Sequence, residues 1–171
     1  IVAMVALGLI VAGCLPTVPP TEQGEPGVLL NKGINEVWIN DDTTIVYTTI
    51  QAAINAANDS DTINVAAGIY EEEIKIMDKG LTLLGAQAGV PSVNGGRAGG
   101  ESIIRGKGTS GYQYSWCGVR IQHSDVIVNG FTIENGKRGI AIQGVSPDGI
   151  SDILISYNCI EESGYDGIFN C

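Results

Sequence analysis

The feature that most constrains the fold of this chain is a sequence repeat with a period of about 27 residues. The segment from Val126 to Gly136, VIVNGFTIENG, aligns with ILISYNCIEESG, which begins at Ile153. With one inserted residue, Gly139 aligns with Gly167. A period in the twenties that holds several short strands is typical of a solenoid, in which each coil packs on the next. We therefore expect Val126 and Ile153 to lie side by side on parallel strands.

Short runs rich in β-branched residues fill the chain after Asp61. They alternate with Gly, Asn and Asp, residues that favour tight turns. The predicted strands are Ile63–Val65, Ile74–Ile76, Leu81–Leu83, Ile103–Ile104, Val119–Ile121, Val126–Val128, Phe131–Ile133, Ile140–Ile142, Ile153–Ile155 and Ile168–Phe169. Three strands to a period give about three coils, over residues 81–121, 126–142 and 153 onward.

One segment before these strands predicts a helix instead. In TTIQAAINAAND, Thr48–Asp59, apolar residues recur on one helical face at positions 50, 53, 54 and 57. Thr48 or Thr49 can cap the start of the helix, because a threonine hydroxyl accepts a hydrogen bond from a free backbone N–H of the first turn. We expect the helix over about residues 48–58.

Composition excludes several classes of protein. Glycine accounts for 24 of 171 residues, 44% of residues are hydrophobic and the net charge is −10. A disordered chain would be less apolar and more charged, and a collagen would need glycine at every third position. A nucleic-acid-binding protein would carry a basic surplus, so no nucleic-acid partner is expected.

The N-terminal residues predict export and a lipid anchor. Residues 1–13 are uncharged and apolar, too short to span a bilayer but of the length of a signal-peptide core. Val11-Ala12-Gly13-Cys14 resembles a bacterial lipobox, in which a diacylglycerol is attached to the cysteine thiol. Residues 14–34 contain a Pro-rich tether that should stay extended. An ordinary cleaved signal peptide or an apolar N-terminal strand are the alternatives, and because the chain opens at Ile1 we expect a truncated N-terminus.

Two stretches carry a family resemblance. Thr49–Gln87, with the turn motif Gly68-Ile69-Tyr70-Glu71-Glu72, resembles the opening of right-handed parallel β-helix proteins of the pectin lyase superfamily, and HSDVIVNGFTIENGKRGIAI resembles their repeat. The resemblance implies an all-β fold over residues 35–171: a right-handed parallel β-helix, a solenoid, with one N-terminal capping α-helix. Since such a solenoid needs a terminal cap, we expect the natural chain to continue past Cys171.

The resemblance leaves function open, because this fold supports lyases, hydrolases, esterases and non-enzymes. No complete catalytic set of the pectinesterases, polygalacturonases or pectate lyases is present. We therefore expect an exported surface lipoprotein, held on the membrane by its lipid anchor, that presents a β-helix to polysaccharide or another cell-envelope component. The alternative is a polysaccharide-active enzyme, pectate or pectin lyase-like or pectinesterase-like, whose catalytic coils lie beyond residue 171.

An aromatic segment is the candidate carbohydrate site. Tyr112, Tyr114 and Trp116 alternate, so an extended backbone would place them on one face, where they could stack on sugar rings. Arginines near them could bind the carboxylates of an acidic glycan: Arg97, Arg105 and Arg120. Alternatively, the aromatic side chains pin their own loop to the surface of the coil.

The repeat also predicts contacts between polar residues of successive coils. Glu134 and Glu161 should stack about 4.8 Å apart and could hold a calcium ion, or they form a solvated acidic ridge. Arg138 and Asp166 should form a complementary pair. Asn158 aligns with a turn, where its amide would satisfy backbone groups.

Three cysteines remain after Cys14, at positions 117, 159 and 171. An odd number cannot all pair within one chain. They serve as small apolar core residues, or two of them form a disulfide in an exported protein.

Overall fold

The computed structural model describes residues 35–92, 97–106, 117–144, 149–161 and 163–170. Within these ranges the chain is mostly β, with fourteen strands and one helix. The elements are β1 Val37–Ile39, β2 Asp42–Tyr47, α1 Ile50–Ala56, β3 Thr62–Val65, β4 Gly68–Tyr70, β5 Ile74–Ile76, β6 Leu81–Leu84, β7 Ser102–Arg105, β8 Cys117–Ile121, β9 Val126–Asn129, β10 Phe131–Glu134, β11 Arg138–Ile142, β12 Ile153–Ser156, β13 Cys159–Ile160 and β14 Asp166–Asn170.

In the described part of the chain these strands form three sheets. Sheet A has the order β12-β9-β6-β3-β1-β2, sheet B the order β13-β10-β7-β4 and sheet C the order β14-β11-β8-β5. From β3 onward each strand pairs in parallel with the strand three places later in the chain. Strands β1 and β2 are antiparallel and extend sheet A beyond β3.

The predicted register is confirmed. Ile153 pairs with Val126, and Ile160 pairs with Ile133. After the one-residue insertion, Ile168 pairs with Ile140. The register follows from side-chain alternation, because a slip of one residue would turn every apolar side chain of a strand to the opposite face of its sheet.

The core consists of rows of aliphatic side chains that run across the sheets. In sheet A, Ile63, Leu83 and Val128 are neighbours in register and are fully buried. In sheet C the corresponding row is Ile74, Val119 and Ile140, also fully buried. Each strand therefore contributes its inward residues to a core shared with the strands on either side, and its outward residues are left to form surface sites.

The turn from sheet A to sheet B is very tight. Gly130 alone separates β9 from β10, and its φ of 85° lies in the left-handed region that favours glycine. One period later, Oδ1 of Asn158 accepts a hydrogen bond from the Phe131 N–H at 3.0 Å, and its Nδ2 donates to the Val128 carbonyl at 2.8 Å. The prediction that this amide satisfies turn backbone groups is confirmed.

The helix is present but shorter than predicted. It spans Ile50–Ala56 because Thr49, in an extended conformation, caps it by accepting a hydrogen bond from the Ala52 N–H at 3.2 Å. The Glu72 carboxylate also binds this end, accepting from the Ile50 and Gln51 N–H groups at 2.8 and 3.0 Å. Ala57, with ψ of 155°, ends the helix.

Strands β2, β4 and β13 are not among the individually predicted strands, although the repeat aligns β13 with β10. Gly68–Tyr70, assigned to a turn by the family resemblance, is strand β4 and pairs with β7. The hydroxyl of Tyr70 donates a hydrogen bond to the Ala66 carbonyl at 2.9 Å. Strand β2 does not follow from the sequence pattern, because four of its six residues are exposed and it lacks a buried alternating face.

Candidate functional site

The predicted aromatic residues Tyr112, Tyr114 and Trp116 lie outside the described residues, as do Cys14 and Cys171. The structure describes the two strands that flank these aromatic residues in the sequence. Strand β7 of sheet B ends at Arg105, and strand β8 of sheet C begins at Cys117. The charged residues on these strands and their neighbours are called the corner site below: Arg105, Glu134, Glu73, Lys75 and Arg120.

Arg105 is the most exposed of the three predicted arginines, with 36% of its side chain accessible. It pairs in register with Glu134 of β10, and its Nε and Nη2 lie 2.6 and 2.5 Å from Oε1 of that glutamate. It also lines a polar groove of about 430 Å³ together with Thr48, Thr49, Tyr70 and Glu71, among others. Arg105 therefore presents a neutralised ion pair beside a surface groove.

Arg120 lies on the outward face of sheet C. It pairs in register with Lys75, and its Nη2 lies 3.0 Å from a Glu73 carboxylate oxygen. Lys75 lies 3.3 Å from the other oxygen of the same carboxylate. One carboxylate therefore contacts two cations, Arg120 and Lys75.

A third arginine pair lies on the next two strands of sheet C. Arg138 and Asp166 are in register, and Nε of Arg138 lies 3.2 Å from the carboxylate, as predicted. The Arg138 guanidinium carbon also lies 3.8 Å from the centre of the Phe169 ring. This stacking fixes the plane of the guanidinium by a cation–π contact.

Arg97 contacts Thr132 of β10, two residues before the Glu134 that Arg105 contacts. Only 6% of its side chain is accessible, and its guanidinium is held by Glu101 at 3.1 Å, by Thr132 Oγ1 at 3.0 Å and by the Phe131 and Tyr157 carbonyls. Glu101 also accepts a short hydrogen bond from Thr132. This geometry gives Arg97 a clamping role between residues 97–101 and the turns of sheets A and B.

The two glutamates of the predicted calcium pair, Glu134 and Glu161, directly follow Ile133 and Ile160, which pair in register. Glu134 is bound by Arg105, while Glu161 follows β13 and accepts a hydrogen bond from the Cys159 thiol at 3.0 Å. That hydrogen bond, with burial next in importance, raises the pKa of Cys159 to about 11. Among the described residues no group of three or more His, Cys, Asp or Glu side chains is arranged to hold a metal ion. Calcium binding by this pair stays a prediction.

Cys117 and Cys159 are free thiols in the structure. Cys117 is buried, and its burial raises the pKa of its thiol against the opposing effect of the nearby Arg120 and Arg138. A buried thiol that stays protonated is uncharged and packs as a small apolar side chain. Its place in the fold agrees with the interpretation of Cys117 as a core residue.

Sequence reasoning missed a second groove, of about 630 Å³, on the outward side of sheet A. Trp38 of β1 lines it with Asn64 and Leu84 of the neighbouring strands. The opposite wall consists of residues 85–88 with Gly99 and Gly100. The available signal was the alternation in Val37-Trp38-Ile39, which turns a large aromatic side chain outward when its neighbours turn inward.

A scan against protein-family models gave no match to this chain. Searches of curated proteins and of solved structures also gave no significant match. Among the described residues, no helix has both the length and the apolar character needed to cross a lipid bilayer.

Proposed function

We propose that the described strands form a right-handed parallel β-helix, each coil made of one strand from each sheet. The proposal is supported by the pairing of every strand from β3 to β11 with the strand three places later. It is also supported by the fully buried aliphatic rows that cross the strands. A rigid stack of this kind suits a protein that presents side chains along an extended surface.

We further propose that this scaffold is exported, is anchored outside a bacterial membrane through lipid on Cys14, and binds polysaccharide at the corner site. The observation that carries the binding proposal is the position of Arg105. Its side chain is partly exposed and lines a polar groove. In the sequence it lies seven residues before Tyr112, the first of the three aromatic residues Tyr112, Tyr114 and Trp116. Long connections on a rigid scaffold are where binding residues concentrate.

The ion pairs favour a neutral glycan over an acidic one. Arg105 and Arg120 each already contact a carboxylate of the chain, Glu134 and Glu73. A glycan carboxylate would have to compete with these partners, and the net charge of −10 would repel it at longer range. Sugar hydroxyls, by contrast, can donate to the paired carboxylates and accept from the paired arginines without breaking the pairs.

A glycan array tests this proposal with the variant in which Tyr112, Tyr114 and Trp116 are all replaced by Ala. We expect the native protein to bind neutral glycans and the triple variant to lose at least about tenfold in affinity, because aromatic anchors contribute much of the binding energy at such sites. Val46→Ala, at an exposed position of β2, is the control and should bind as the native protein does. The triple variant and the protein it is compared with both carry Trp38→Ala on the array, so that the groove beside Trp38 does not contribute to the signal. Equal binding by these two proteins would refute glycan binding through the aromatic segment beside the corner site.

A further inference from the structure

We propose that the groove beside Trp38 is a second saccharide site, specific for uncharged sugar chains. It shares no lining residue with the groove beside Arg105. It also stands on the outward side of sheet A, whereas the corner site belongs to sheets B and C. The two grooves can therefore be altered independently.

The floor of the groove is set by strand register. Trp38 pairs with Asn64, and Asn64 pairs with Leu84, so the three side chains form one row across β1, β3 and β6. Their neighbours Val37 and Leu83 are fully buried on the other face. The row must consequently face outward, which puts an indole ring, an amide and an aliphatic side chain next to one another on the surface.

The facing wall is held by buried hydrogen bonds. Ser102 is fully buried, and its Oγ accepts from the Ala86 N–H at 2.8 Å while lying 2.9 Å from the Val65 and Ala66 carbonyls. The Gln87 side chain, 6% exposed, donates to the Gly100 carbonyl at 2.8 Å. These bonds fix both parts of the wall before any ligand arrives, which lowers the entropic cost of binding.

Glycine is required where the wall approaches its neighbours. A Cβ on Gly100 would lie 2.7 Å from the Ala67 Cβ, and one on Gly99 would lie 2.9 Å from Gln87 Nε2. A side chain at Gly100 would press against Ala67, and one at Gly99 would displace the Gln87 amide that donates to the Gly100 carbonyl. The groove thus keeps its width through two small residues and two buried polar side chains.

The lining chemistry fits a neutral sugar. None of the residues described along this groove carries a charge. An indole face matches the apolar C–H face of a pyranose ring, and a few fixed polar groups give orientation. The Asn64 amide is one such group, because its Nδ2 donates to the Asn40 carbonyl at 2.7 Å, which fixes its orientation. A volume of about 630 Å³ falls in the range of small-molecule sites, about 300–1,000 Å³.

Tryptophan fluorescence can report on this site alone. The chain has two tryptophans, so the Trp116→Phe variant leaves Trp38 as its single tryptophan, which can be excited selectively over tyrosine. We would titrate this variant with linear oligosaccharides of glucose, mannose and xylose, with oligomers of glucuronic acid, and with an apolar leucine-rich peptide. A saturable change in emission with at least one neutral oligosaccharide, and with neither of the other probes, is the expected result.

Calorimetry then assigns the contact in a background in which Tyr112, Tyr114 and Trp116 are replaced by Ala, so that the corner site does not contribute. Trp38→Ala should weaken binding at this site by about tenfold or more, and Trp38→Phe should restore most of the loss because it keeps an aromatic face. Ile45→Ala, exposed on β2 and outside the groove, should leave the affinity unchanged. Melting temperatures of all variants show that each is folded.

Several results would overturn the proposal. They are the absence of any saturable Trp38 signal with the neutral sugars, an equal response to glucuronic acid oligomers, a response only to the apolar peptide, or unchanged affinity in a folded Trp38→Ala variant. The variant with Tyr112, Tyr114 and Trp116 replaced by Ala separates the two sites. It should retain the Trp38 signal, whether or not the corner site binds glycan.

Discussion

Asn158 links the turn after β12 to the turn after β9 through a single side chain. Its amide accepts from the Phe131 N–H and donates to the Val128 carbonyl, both in the preceding turn. Phe131 is fully buried, so its N–H has no ready access to water once the amide is removed. The side chain therefore satisfies one backbone N–H and one backbone carbonyl beside the tight turn at Gly130.

We predict that Asn158→Ala lowers the free energy of unfolding by about 1–3 kcal/mol, the usual cost of leaving buried polar groups unsatisfied. Urea denaturation measures the effect. Asn170→Ala, at an exposed position of β14, is the matched control and should change stability by less than about 0.5 kcal/mol. A loss for Asn158→Ala no larger than that of the control would contradict the assigned role.

Asp61 gives a prediction about pH. The Asn40 amide donates to its carboxylate at 2.8 Å, and the Asn58 N–H donates at 2.7 Å; these bonds hold the pKa of Asp61 below its ordinary value of 3.8. Because the folded-state pKa is the lower one, the stabilisation is complete above the ordinary pKa and is lost as pH falls through the folded-state pKa.

We expect Asp61→Asn to melt at a lower temperature than the native protein at neutral pH. The difference should shrink as the pH drops below about 4, because the native carboxylate then becomes protonated too. Thermal melts at a series of pH values measure this. Asn40→Gly removes the hydrogen-bond donor, and glycine tolerates the φ of 53° at that position. Its difference in melting temperature from the native protein should also shrink as the pH drops. A difference that stays constant with pH would argue against the hydrogen-bonded carboxylate.

At the scale of elements, the sequence pattern predicts best where burial and alternation coincide. The strands with fully buried inward rows, such as β5, β6 and β9, follow from the pattern, as does the helix with its apolar face. Strand β2 escapes prediction because most of its residues are exposed, and β4 because its three residues resemble a turn motif. For both, pairing with a neighbouring strand decides the structure, and local sequence does not report pairing.

The motif Gly68-Ile69-Tyr70-Glu71-Glu72 has an identifiable physical role in this arrangement. Gly68 opens β4, Tyr70 turns inward and its hydroxyl binds backbone carbonyls, and Glu72 accepts two N–H groups at the start of α1. The motif therefore connects strand β4 to the start of α1. A negative charge at this end also interacts favourably with the positive end of the helix dipole.

We predict that Glu72→Ala lowers the free energy of unfolding by about 1–3 kcal/mol, because hydrogen bonds to charged groups are stronger than neutral ones. Glu72→Gln, which keeps an acceptor and loses the charge, should cost less. Urea denaturation measures both variants. The control is Glu71→Ala, which removes the neighbouring, exposed carboxylate. Equal free energies of unfolding for Glu72→Ala and Glu71→Ala would show that Glu72 does not stabilise the start of the helix.

For the whole molecule, the period of about 27 residues is sufficient to predict which distant residues become neighbours. The repeat alone pairs Val126 with Ile153 and Arg138 with Asp166, and both pairs lie in register on adjacent parallel strands. The grooves cannot be predicted in this way. Their walls are irregular connections such as residues 85–88 and 97–101, whose path depends on individual contacts like the Arg97 clamp.

The N-terminal sequence also predicts where the molecule resides. If Cys14 carries lipid, Cys14→Ser should move the protein from the membrane fraction to the soluble exported fraction, because two acyl chains supply nearly all of the membrane affinity. The chain would be expressed from its natural reading frame, with fractionation and labelling by a radioactive fatty acid as the measurements. Cys159→Ser is the matched control, since it removes a thiol that is hydrogen-bonded to Glu161 and should leave both attachment and labelling intact. Membrane attachment that survives in Cys14→Ser would show that another segment holds the protein at the bilayer.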